Sequence, residues 1–175
     1  MNSEAAVKQV LSDYYNAFST LDIQSILPYF HQPALLIGPL GVIAIPTPAA
    51  VVPIFGPVME DLRQRKYRRS ELSLQQFKLL SATSALAVGV AIRYKANGQE
   101  LERVGVTYLL HQGNDGWKFA VMVLHDPDKV APRESLDVQV EPRNTLTGHQ
   151  GCGLARQNSA ARKRWGRINR GKGLP

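Results

Sequence analysis

Six side chains hold most of the chemistry available to the folded part of this chain: Tyr14, Tyr29, His31, Arg93, Thr107 and His125, the last followed directly by Asp126. A tyrosine such as Tyr14 is a neutral donor that can stabilise an oxyanion, or can satisfy its hydroxyl inside a core. Arg93 alternates along a strand with Ala87, Gly89 and Ala91. Small neighbours of this kind, with Gly105 and Thr107 offered by the next strand, leave room for a guanidinium to bind a carboxylate or enolate. The competing reading places Arg93 at the strand end, in solvent or paired with Glu102. His125 and His31 are the two candidate bases, with Asp126 in a position to orient His125 if the strand breaks there. Read structurally instead, His125 caps the sheet and His31 ends a helix, where the dipole favours it. No nucleophile constellation, phosphate loop or metal-ligand spacing is visible, so neither a cofactor nor a metal is expected. The lone cysteine, Cys152, excludes an internal disulfide and favours a reducing, cytoplasmic location.

The charge lies away from these residues. The 175-residue chain has a formal charge of +7, but Met1 to Pro142 holds 13 Lys+Arg against 14 Asp+Glu, a net of −1. The remaining 21 − 13 = 8 basic residues lie from Arg143 to Pro175, with no acid among them. We expect a folded domain over residues 1–127 and a basic, disordered tail over 128–175. Trp165 within the run from Arg162 to Lys172 could stack on a base. A solvated extension accounts for that run equally simply, and nucleic-acid binding is not expected of it. The polar N-terminus Met1-Asn2-Ser3-Glu4 lacks the features of a secretory signal. His31 to Met59 contains no residue charged at neutral pH, but six prolines interrupt it and argue against a membrane span.

The elements that must position the candidates follow from periodicity. Glu4 to Leu21 places Val7, Val10, Leu11, Tyr14, Ala17, Phe18 and Leu21 at helical steps. Asp22 is an N-cap for a second short helix through Ile26, Leu27 and Phe30. Strands are expected at Ala34 to Ile37 and Gly41 to Ile45, and Thr47-Pro48 opens a helix running to about Tyr67, bent by Pro53 and Pro57. The second half alternates with period two. Leu86, Val88, Val90, Ile92 and Tyr94 oppose a small-residue face, Asn97-Gly98 makes a hairpin, and Val104, Val106, Tyr108 and Leu110 follow. Asn114-Asp115-Gly116 turns the chain into Trp117, Phe119, Val121 and Val123. Ahead of these strands, Leu72 and Leu74 change phase to Phe77 and Leu79, the mark of a bulge that curves the sheet. Helices followed by an antiparallel meander define an α+β fold with helices on one face of a curved sheet.

This order, with Tyr14 on the first helix, Asp22 opening the second, the Phe30-to-Gly41 segment and the closing Gly116-Trp117-Lys118-Phe119-Ala120-Val121, resembles the nuclear transport factor 2-like superfamily. Its SnoaL-like branch is the nearest in pattern. The resemblance covers roughly Glu4 to Asp126 and implies a cystatin-like cone, an apolar pocket between sheet and helices, and a homodimer packed through the sheet. It does not imply one activity, because the architecture hosts isomerases, cyclases, dehydratases, epoxide hydrolases and association domains. Aligning the ketosteroid isomerase pattern through Asp22, Ile26 and Phe30 keeps the donor Tyr14. The catalytic base then falls on Gly38 and the second donor near Val104 or Gly105, where there is no carboxyl group. The Asp-Arg-Asp relay of limonene-type epoxide hydrolases is likewise not expected, because Arg93 has no inward carboxylate on a neighbouring strand.

These residues support two main readings. The first is a binding protein for a hydrophobic small molecule, using Tyr14, Tyr29, Arg93 and Thr107. The second is a cyclase-, dehydratase- or isomerase-type enzyme on a hydrophobic carbonyl compound, with His125 or His31 as base and Tyr14 and Arg93 stabilising an oxyanion. A third is a dimeric association module, whose pocket would be filled by side chains.

Overall fold

In the computed structural model, which describes residues 2–130, helix α1 (Ser3–Ser19) opens the chain. Asn2 caps it by accepting from the Glu4 amide at 3.2 Å. Val7, Leu11, Tyr14, Tyr15 and Phe18 form its buried stripe. A left-handed Leu21 ends the run, and Asp22 caps α2 (Ile23–Ile26) through the Gln24 amide at 3.0 Å. The second helix is shorter than its apolar spacing suggests. Pro28 tightens Leu27–Tyr29 into a 3-10 turn, and Phe30 already begins strand β1 (Phe30–Gly38).

Strand β2 (Gly41–Ile45) follows, then a 3-10 turn (Pro48–Ala50) and helix α3 (Val51–Gln64). Thr47 caps that turn by backbone position and not through its side chain. Pro53 falls in the first turn of α3, where an amide would lack a helical partner, and Pro57 sits on an exposed position of the helix. The helix stops before Tyr67 because Lys66 takes a positive φ and Tyr67 starts β3 (Tyr67–Ser81).

Strands β4 (Ser84–Lys95), β5 (Glu100–Gly113) and β6 (Gly116–His125) complete a six-stranded sheet of order β2-β1-β6-β5-β4-β3. The meander is antiparallel, but β1 lies parallel to β6, so the sheet is mixed and not purely antiparallel as expected. Two of the hairpins, β4–β5 and β5–β6, turn at Gly98 and Gly116, both at positive φ, which glycine adopts without steric cost. The register slip between Leu74 and Gln76 is the bulge announced by the change of phase in β3. A last 3-10 turn (Pro127–Lys129) runs across the expected domain end at residue 127. The bulk of the basic tail, with Cys152 and Trp165, lies outside the described residues. Among those residues no helix is long and apolar enough to cross a membrane.

Two faces of the sheet differ in a way that decides the site. The inner face of β4, made of Ala85, Ala87 and Ala91, is buried, and the strand beside it places Leu110, Tyr108 and Val104 directly opposite. Large residues thus pair with small ones, and the aromatic side chains of α1 pack over them. The outer face carries Leu86, Val88, Val90, Leu109, Val121 and Leu35, all outside the core cluster.

Candidate functional site

Helices α1 and α3 and the inner faces of β1 and β3 to β6 line a half-open cavity of about 80 Å³. Its apolar walls include Phe18, Leu36, Phe55, Val106 and Met122, and half-exposed Ile54 and Leu124 lie beside the exposed Val58. Its polar groups are Tyr14, Tyr15, Tyr108, Ser70 and Arg93.

Tyr14 sits in an aromatic cluster, edge-on to Phe119 at 4.8 Å, Tyr29 at 5.8 Å and Phe30 at 6.2 Å, and is 4% exposed. Its hydroxyl has no hydrogen-bond partner among the described residues. Its two neighbours on the wall are different: the Tyr15 and Tyr108 hydroxyls bond to each other at 2.8 Å in a buried pair. Tyr67 and Ser70 do the same at 2.6 Å. Burial pushes the Tyr14 phenol far above the ordinary tyrosine range, and the neighbouring Tyr15 adds to that, while the charge of Arg93 pulls less strongly the other way. Burial likewise raises Tyr15 and Tyr108. All three therefore stay protonated at neutral pH, and in the Tyr15–Tyr108 pair one hydroxyl donates and the other accepts. Neither an imidazole nor a carboxylate belongs to the cavity wall.

Arg93 does reach the cavity, with its guanidinium 5.4 Å from the centre of the Phe18 ring. It is also paired with Glu102, which does not itself line the cavity. The register places Arg93 opposite Glu102, so both alternatives for this arginine hold at once.

Four expectations are corrected. Thr107 and Gly105 lie on the outer face, opposite Val88 and Val90, because Val104 and Val106 take the inner positions. His125 also lies outside. Leu109 pairs with Val121 and Leu110 with Phe119, so Ala120 is an extra residue that reverses the parity of everything after it. The His125 ring rests over Gly105, with Nε2 3.1 Å from Thr107 Oγ1 and Nδ1 2.9 Å from the backbone oxygen of Asp126. The Asp126 carboxylate does not orient it, and accepts from the Asp128 amide instead. His31 leaves the helix altogether. It lies on β1, with Nδ1 3.1 Å from Pro33 O and its ring edge-on to His111 at 5.2 Å. Tyr29 packs behind Tyr14 and does not line the cavity.

Sequence reasoning passed over Tyr15, Tyr108 and Ser70. Tyr108 was accessible by pairing, since any register that sets bulky residues against Ala87 turns it inward. Tyr15 adjoins a residue already placed on the helix face, and a stripe wide enough for both had no signal in a strict three-four spacing. Among the described residues no group of three His, Cys, Asp or Glu side chains could hold a metal ion.

A curved sheet wrapped on helices around a small apolar cavity is the architecture of nuclear transport factor 2-like proteins. The chain belongs to that family: residues 3–127 match the family model described as NTF2-like protein (DUF6841). Comparison with curated proteins finds no match. Among solved structures it is similar to an NTF2-like protein with a cystatin-like fold from Novosphingobium aromaticivorans, at 11% identity and a TM-score of 0.58 over 70% of this chain and 80% of the other. An NTF-2 like protein of unknown function from Shewanella oneidensis gives 14% identity and a TM-score of 0.57, over 70% and 98%. A ketosteroid isomerase-like protein from Erwinia carotovora atroseptica gives 19% and 0.52, over 73% and 100%. At these identities the likeness speaks for the fold alone.

Proposed function

We propose that this domain binds a small, largely apolar molecule in the cavity beneath α3, with the Tyr14 hydroxyl as the anchoring donor. The observation that carries this is the unpartnered phenol itself. That hydroxyl opens on the cavity without a protein partner, so it is free to donate to an acceptor on a bound molecule. The cavity volume suits a compound of a few non-hydrogen atoms more than a steroid-sized one, since pockets for drug-sized ligands run from roughly 300 Å³ upward. Binding is favoured over turnover because every titratable group on the wall is a proton donor near neutral pH, leaving no base for carbonyl chemistry. The test is a thermal-shift screen with small ketones, esters and amides on the wild-type chain and Tyr14→Phe. A ligand well above its dissociation constant raises apparent stability by a few kcal/mol, and the shift shrinks in the variant. Equal shifts in both proteins would remove Tyr14 from the site.

The outer sheet face favours a second property that is compatible with the first. Its apolar residues and the 39% exposed Leu35 form a surface of the kind that soluble proteins cover with a partner, and we assign it to a homodimer packed sheet to sheet. A cytoplasmic location rests on the single cysteine.

A further inference from the structure

We propose that Glu102 sets the charge of the cavity, so that its ligand is a neutral molecule presenting a hydrogen-bond acceptor and not an anion. The inference rests on the binding reading above. Arg93 is a cation on the cavity wall whose side chain is only 16% exposed, and taken alone it would draw a carboxylate inward. The strand register sets Glu102 directly opposite. One carboxylate oxygen accepts from Arg93, and the other accepts from Arg65 Nη2 at 2.6 Å. Arg65 in turn donates through Nη1 to Asp61 at 2.9 Å. Two guanidinium groups and two carboxylates therefore alternate from the cavity to the C-terminal end of α3, and their charges cancel.

An anion entering beside Arg93 meets Glu102 already in place. In a low-dielectric cavity the repulsion between two carboxylates sharing one guanidinium outweighs what the arginine alone would offer. The Phe18 ring stands over the guanidinium as well. The open donor is the Tyr14 hydroxyl, which a ketone, ester or amide oxygen satisfies without bringing charge into an apolar space. Glu102 thus determines specificity through Arg93 without touching the ligand.

The test uses two probes with the same branched end and the same number of non-hydrogen atoms, methyl isopropyl ketone and isobutyrate. Both are titrated by saturation-transfer NMR into the full-length chain. The expected result is that the ketone binds wild type and isobutyrate binds at least about tenfold more weakly. Glu102→Gln strengthens isobutyrate by about tenfold or more while the ketone stays within about threefold. Adding Arg93→Met to that variant abolishes the gain. Isobutyrate binding wild type as well as the ketone overturns the proposal without any variant, so it stays testable even if Glu102→Gln unfolds. A ketone that binds, with a folded Glu102→Gln that still rejects isobutyrate, also overturns it and leaves the binding reading standing. If neither probe binds wild type or the variant, the binding reading falls and the proposal with it.

Discussion

Replacing Tyr14 and Tyr15 in turn by phenylalanine separates two adjacent residues that composition cannot tell apart. Both are buried on the same helix, and both line the cavity. The Tyr15 hydroxyl is bonded to Tyr108 at 2.8 Å, so Tyr15→Phe leaves the Tyr108 phenol buried and unpaired. That costs about 1–3 kcal/mol. Tyr14→Phe deletes a hydroxyl that no protein group accepts from or donates to, and should change stability by at most about 0.5 kcal/mol. The double variant Tyr15→Phe/Tyr108→Phe removes both ends of the bond. Its cost should fall short of the sum of the single variants by about 0.5–3 kcal/mol, the coupling of a contacting pair. Urea unfolding at neutral pH measures all of these. With a slope of about 1–3 kcal/mol per molar urea, Tyr15→Phe moves the midpoint by several tenths of a molar or more, and Tyr14→Phe barely moves it. If Tyr14→Phe costs as much as Tyr15→Phe, its hydroxyl is paired in the folded protein, and the argument for an anchoring donor collapses.

Alkaline pH probes the same three phenols. Burial raises their pKa above the unfolded value near 10, so their contribution to stability is complete below pH 10 and is lost as pH rises beyond it. Three such groups steepen the loss by about 4 kcal/mol per pH unit, and Tyr108→Phe should reduce that slope by a third. Tyrosinate absorbance from Tyr14, Tyr15 and Tyr108 should therefore appear together with unfolding, and ionisation inside an intact fold would contradict the burial argument. Gly89→Ala places a Cβ 2.5 Å from the Ser73 backbone oxygen, so β3 must shift. A loss of about 1–3 kcal/mol is expected in a thermal or urea melt, and a neutral result would mean that the two strands separate freely there. Leu109, opposite both Leu86 and Val121, is at the centre of the outer face. Leu109→Lys should convert a dimer to a monomer by sedimentation while leaving the fold intact, whereas a wild-type chain that sediments as a monomer would refute the sheet-to-sheet dimer.

The turns were legible because their signals are local. Asn97-Gly98 and Asp115-Gly116 demand positive φ, and Gly98 and Gly116 adopt it. The bulge in β3 was legible for a related reason: one side of that strand is polar, so an extra residue shows as a break between Leu74 and Phe77. The bulge at Ala120 left no such trace. Trp117, Phe119, Val121 and Val123 continue an unbroken apolar alternation across it, although the first two face the helices and the last two face outward. An unbroken count can hide a reversal only where both faces of the strand are apolar. The concealment of that bulge and the bare outer surface are thus one property of the sheet. The same property moved His125 and Thr107 out of the expected pocket, since an apolar outer face offers no contrast by which to assign them. Arg93 was recoverable because hairpin register ties it to Glu102, but the space around it was not. The small residues of β4 read as room for a ligand, and that room is largely taken by Tyr14, Tyr15 and Phe18 from α1. Periodicity reports which residues share a face and is silent on what packs against it. Only the helix-to-sheet distance decides whether alanines opposite a helix hold a pocket or admit the helix itself, and here they do most of the second and leave a remnant of the first.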